Sequence, residues 1–231
     1  MNLPSSCSLE IKDGNGDQIE VLRGIGRHNL GPFWARHVIG DTIDLFLHCA
    51  EKIEDASFEI DDYVSGYPNG PFVEENNRNL RLSQRGGDSH PFTRHNSHRN
   101  LSICNSDNKR NAVCYASTNP VHYQAARAVA RLWINGSGGC TGWLVKSKMG
   151  NMLLTNNHCI KDQSAVVNTD FEFMGEESNC LSGAGAGDGG WMTNRGVIFD
   201  GLQIVVTDIQ EDFSLVRLKD NSNGSPASQY G

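Results

Sequence analysis

The sequence predicts an all-β protein that opens with a small β-sandwich. Three observations carry this. Short apolar runs alternate with period two along much of the chain, as half-buried strands do. Turn-forming Gly, Asn and Asp clusters separate those runs at the short spacing of sandwich strands. A hydrophobic content of 38% with 25 glycines describes a loop-rich globular chain, neither disordered nor membrane-spanning.

Taken in order, Ser8-Leu-Glu-Ile-Lys12 and Gln18-Ile-Glu-Val-Leu22 flank Asp13-Gly-Asn-Gly-Asp17, which reads as a hairpin. Asp13, Asn15 and Asp17 imitate the start of a calcium loop. Gln18 stands where that loop needs glycine and Gly24 where it needs glutamate, so the stretch is read as a solvated turn. Alternation resumes over Trp34–Ile39, Asp41–His48 and Ser57–Asp61, with Ile43, Leu45 and Leu47 on one face. Residues 1–73 therefore make a β-rich N-terminal domain. Residues 74–103 follow as an Arg-, His- and Asn-rich linker open to processing proteases at Arg81, Arg85, Arg94 and Arg99. His90, His95 and His98 are spaced too irregularly for zinc, and His28, His37 and His48 stand singly in structural or surface positions.

In residues 104–231, propensity favours a helix over the alanines of Tyr123–Trp133. Gly136-Ser-Gly-Gly139 is a hairpin loop. Gly183–Gly190 lacks the strand, helix and lysine of a phosphate loop and reads as a connection. Gly142–Val145 and Met152–Thr155 form a hairpin whose second strand delivers His158 beside Cys159. Cys140 opens the first strand, and a bridge from it to Cys159 would clamp the turn that holds His158. Two further strands, Gly201–Thr207 and Phe213–Leu218, follow.

A net charge of −7 argues against nucleic acid as a partner, and no apolar run approaches the ~20 residues of a membrane span. Met1-Asn-Leu-Pro-Ser-Ser lacks signal-peptide character, so the chain is either cytosolic or without its true N-terminus; the cysteines favour the second. Seven cysteines leave one without a partner inside the chain, and no Cys-x-x-Cys supports a metal site. Sequons at Asn100, Asn135 and Asn223 are compatible with secretion.

Four stretches then act together: Ala128-Val-Ala-Arg-Leu-Trp-Ile134, Cys140-Thr-Gly-Trp-Leu-Val145, Leu153-Leu-Thr-Asn-Asn-His158-Cys159 and Asp212-Phe-Ser-Leu-Val-Arg-Leu218. They resemble, in order, the strands of trypsin-like serine peptidases of the chymotrypsin fold, and most closely the secreted lysyl-endopeptidase-like microbial branch. The resemblance runs from Cys104 to Leu218, about half the chain. It implies that 104–231 is the first barrel of such a peptidase, with Val129–Ile134 a strand after a helical turn. It makes His158 the general base and Asp212 its orienting acid. It pairs Cys140 with Cys159 and Cys114 with Cys180, and leaves Cys104 to a cysteine of a second barrel. Residues 1–73 resemble, more weakly, the strand-rich extension of such precursors. No Gly-Asp-Ser-Gly-Gly occurs in the 19 residues from 213 to 231, so the nucleophile and second barrel are missing, and that barrel is expected to pack on 104–231. Asn156 stands where the family usually has a small alanine. The expected function is peptide-bond hydrolysis by a secreted parent enzyme acting on proteins or peptides, with no cofactor and no metal. A trypsin-fold binding protein without a serine is the alternative.

Overall fold

The computed structural model describes residues 1–29, 31–50, 56–63, 110–136, 138–176, 180, 196–221 and 224–230. The expected linker 74–103, with its three histidines, and Cys104 lie outside them.

The N-terminal strands are β1 (Cys7–Asp13), β2 (Gln18–Leu22) and β3 (Ile43–Cys49), in the antiparallel order β2-β1-β3. The expected sandwich is realised, among the described residues, as this single sheet. Alternation along β1 buries Cys7, Leu9 and Ile11, which pack with Leu3, Leu22, Phe33 and Val38. Leu45 and Leu47 face Ile11 and Leu9 across the ladder but stay exposed at the sheet edge. Asp13 spends its carboxylate on the turn: Oδ1 accepts from the amides of Asn15 and Asp17, both at 2.9 Å. A disulfide joins the facing residues Cys7 and Cys49.

A short helix, α1 (Pro120–Ala126), precedes a closed antiparallel barrel. Its strands are β4 (Val129–Ile134), β5 (Gly138–Val145), β6 (Met152–Thr155), β7 (Thr169–Phe173), β8 (Val197–Asp208) and β9 (Phe213–Leu218), arranged β4-β5-β6-β9-β8-β7. Helix α2 (Gln163–Val167), capped by the Asp162 side chain on the Ala165 amide at 2.9 Å, connects β6 to β7. Inward positions supply Leu132, Leu153, Phe171, Phe173, Phe199 and Val216, each 0–1% exposed. Burial of each contributes about 1.5–3 kcal/mol. Gly201 lets α2 approach β8, since an added Cβ would lie 2.3 Å from the Val166 carbonyl oxygen.

Trp34–Ile39 is not a strand, although its alternation reads as one. Phe33 and Val38 cover the small sheet, while Trp34, Arg36 and His37 turn to the barrel wall. The main-chain donors of this segment are taken by side chains. The Trp34 amide donates to Asn168 Oδ1 (2.9 Å), that of Arg36 to Glu20 Oε2 (2.9 Å) and that of His37 to Asp170 Oδ2 (3.1 Å).

Around it lies a buried ionic cluster. Arg27, its side chain 4% exposed, bridges Glu20 (3.1 Å), Asp170 (2.6 Å) and Asp200 (2.9 Å). Arg36 reaches Asp200 at 3.0 Å and His37 Nδ1 reaches Asp170 at 2.8 Å. Beside them, Arg131 makes a two-pronged contact with Glu172 (2.5 and 2.9 Å), which also accepts from Trp133 Nε1 and the Gly196 amide. Burial pushes the Asp170 carboxyl up, but His37 and Arg27 outweigh it and bring it to about 2. Glu172 likewise ends far below the usual carboxylate range through His37 and Arg131. In Glu20 burial wins over Arg27, and its carboxyl is raised.

Candidate active site

His158 sits in the turn after β6, and Asp212 immediately before β9; β6 and β9 pair directly, so the ladder brings the two together. The Asp212 carboxylate accepts at both oxygens. Its Oδ1 takes the His158 backbone N–H at 2.9 Å, and its Oδ2 lies 2.7 Å from His158 Nδ1. Hydrogen bonds from the His158 amide and imidazole hold the Asp212 carboxyl below its ordinary value. An ionised carboxylate only accepts, so a neutral His158 carries its proton on Nδ1 and keeps Nε2 bare, the form a general base requires. The His158 side chain is 66% exposed and that of Asp212 43%.

Polar side chains set the turn. Asn157 Nδ2 donates to Thr207 Oγ1 (2.7 Å), Thr207 Oγ1 lies 2.6 Å from Ser214 Oγ, and Ser214 Oγ donates to the Ile160 carbonyl (2.6 Å). Ser214 has one proton, spent on Ile160, so the Thr207 hydroxyl donates to Ser214. Thr155 Oγ1 ties β6 to the Thr141 carbonyl at 2.9 Å. Of these residues the sequence reading singled out none. For Thr155 and Ser214, 1% and 0% exposed, the signal is polarity at inward strand positions, where alternation calls for apolar side chains. Asn156 donates to the Asp212 carbonyl (3.1 Å) and to Oδ2 (3.2 Å). Asp212 itself has φ 50°, a left-handed backbone that costs a non-glycine residue about 1 kcal/mol or more.

Cys140 bridges Cys159, and Cys114 bridges Cys180. The sulfurs of Cys140 and Cys159 and a His158 nitrogen lie within 4.8 Å of one another, a spacing suited to a metal. The sulfurs are bonded to each other, so no thiolate remains to ligate one. A depression of about 450 Å³ adjoins His158 and this disulfide, bordered by Asn135, Lys161 and Ser164. Trp34 packs against Gly136, next to that border, where an added Cβ would meet its ring at 2.5 Å.

The fold and site thus define a small antiparallel barrel that carries a hydrogen-bonded His–Asp pair at its β6–β9 seam. Residues 102–230 match the family model described as lysyl endopeptidase, C-terminal domain, and the chain belongs to that family. It is also 40% identical over 136 residues to Secreted RxLR effector protein 73 of Plasmopara viticola; the match covers 56% of this chain and 30% of that protein. The chain thus spans less than a third of the curated relative's length.

Proposed function

We propose that this chain provides the base and orienting acid of a trypsin-like serine peptidase in the lysyl-endopeptidase-like branch, secreted and acting on proteins or peptides. The 2.7 Å contact of His158 Nδ1 with Asp212 Oδ2, with the imidazole open to solvent, carries this reading. In it His158 Nε2 takes the proton of a serine hydroxyl as that oxygen attacks an acyl carbonyl. Asp212 holds the ring and stabilises the imidazolium that forms. This reading requires, besides these two residues, a serine and amides that hold the oxyanion. Three disulfides support an oxidising compartment, and no described helix is long and apolar enough to cross a membrane.

A second reading, a secreted binding protein on the same scaffold, is favoured by the effector relative. One experiment separates them. The 231-residue chain and a longer form extended past Gly231 by a barrel bearing Gly-Asp-Ser-Gly-Gly are assayed against mixed peptides, each with and without His158→Ala. The peptidase reading expects no turnover from the chain and His158-dependent turnover from the longer form. Inactivity of both forms would leave the binding reading.

A further inference from the structure

We infer that Asn156 is the positioning residue of Asp212, so that this barrel completes the His–Asp pair from its own side chains. The inference rests on the proposed reading of that pair as base and orienting acid.

The argument begins with the Asp212 backbone. At φ 50° it occupies a conformation that a non-glycine residue holds only when its surroundings fix it. The Asn156 carboxamide offers two N–H bonds from one nitrogen, and its contacts run to two oxygens of this one residue, the Asp212 carbonyl (3.1 Å) and Oδ2 (3.2 Å). A single planar group therefore ties the left-handed backbone to the carboxylate and limits rotation about the bonds between them. Asn157, the next residue in the chain, sends its amide to Thr207 instead. The two asparagines divide the work, one holding the histidine's turn and the other the aspartate.

The donor count agrees. Oδ1 accepts from the His158 amide, and Oδ2 accepts from His158 Nδ1 and from Asn156. A small residue at 156 would leave Oδ2 with the imidazole alone and the carbonyl of a left-handed residue without this donor. Asn156 is half-buried, so its two bonds are sheltered, and the Asp212 side chain, 43% exposed, needs such a fastening to keep one rotamer. Asn156 is also among the groups that depress the Asp212 carboxyl, after the two His158 hydrogen bonds.

The test reads the imidazole directly. In the ¹⁵N-labelled full chain with its disulfides intact, long-range proton–nitrogen correlations report which nitrogen of neutral His158 carries the proton. The wild type is expected to show protonated Nδ1 and bare Nε2. Asn156→Ala should reduce the Nδ1-protonated population and move the Asp212 titration up towards the ordinary carboxylate range. Asn156→Asp keeps the shape and removes the donor, so the same loss of the Nδ1-protonated form is expected. It also decides the matter if Asn156→Ala does not fold. An unchanged tautomer and, in Asn156→Ala, an unchanged Asp212 titration would overturn the inference. The readout needs no turnover, so its failure leaves the peptidase reading to its own assay.

Discussion

Replacing Arg27 by Met keeps most of the side chain's length and removes its charge from a place that water does not reach. Three carboxylates lose their shared partner: Glu20, Asp170 and Asp200, with side chains 10%, 4% and 26% exposed. Breaking a buried ion pair from one side costs about 3–5 kcal/mol, because the remaining charge is left desolvated. Here the remnants keep some donors, namely the His37 ring and amide on Asp170, the Arg36 amide on Glu20 and the Arg36 guanidinium on Asp200. The expected loss is therefore near the low end, about 3 kcal/mol at pH 7. Its pH dependence has a definite sign. Without Arg27 the ionised forms of Glu20 and Asp170 are penalised in the folded state, and protonation relieves the penalty, so the deficit should shrink as pH falls from 7 towards 4. Glu20 is already raised by burial and should lead that recovery. Urea titrations followed by tryptophan fluorescence, with Trp34 and Trp133 beside the cluster, measure the difference at each pH. Glu20→Gln added to Arg27→Met should return at least about 1 kcal/mol by removing one stranded charge. A loss under about 1 kcal/mol at neutral pH, or one that grows on acidification, would refute the reasoning.

In the wild type, the Asp170 carboxyl at about 2 is depressed below its unfolded value near 3.8; it contributes on the order of 2 kcal/mol that is present above pH ~4 and lost as pH falls through 2, which an acid denaturation series on wild type and Asp170→Asn would register. Gly136→Ala forces a side chain onto φ 76° and into the Trp34 ring, and should cost about 1–3 kcal/mol with a shift in tryptophan emission; unchanged emission and melting would contradict the packing described. Removing Cys140–Cys159, which closes 19 residues, should cost about 3 kcal/mol, and removing Cys114–Cys180, which closes 66, about 4, an ordering that paired Cys→Ser variants compared by urea midpoint would check.

The barrel hairpin and its neighbour β9 were legible because their information is local. Alternating runs separated by a polar tip specify a pair of strands, and His158 and Asp212 fall at the ends of strands that pair directly. The small sheet's first hairpin was legible for the same reason. The clamp between the N-terminal segment and the barrel was not. Trp34–Ile39 alternates like a strand, yet its amides bond to Asn168 and Asp170, more than 130 residues away, and to Glu20. No local pattern can report partners at that separation. Thr169-Asp-Phe-Glu-Phe173 misleads in the opposite way. Its charges stand at outward positions, where alternation places water, but Asp170 and Glu172 are 3% and 1% exposed beneath Arg27, His37 and Arg131.

The placement of that clamp bears on the site. In the closed ring β4-β5-β6-β9-β8-β7, two strands separate β7 from β6 in either direction, so the contacts of the N-terminal segment to Asp170 on β7 lie opposite the strand that leads to His158. It consolidates the barrel without covering the imidazole, which stays 66% exposed. An exposed pair of this kind adds little stability, yet the chain maintains it with a left-handed Asp212, an Asn156 amide committed to that residue and a Ser214 hydroxyl buried beneath the turn, where it meets Thr207 and the Ile160 carbonyl. A barrel selected for stability alone would fill the inward position of Ser214 with an apolar side chain and relax the backbone at residue 212. A left-handed residue and ordered polar contacts at a solvent-facing pair, which the clamp leaves uncovered, suit the pre-organisation proposed for the site.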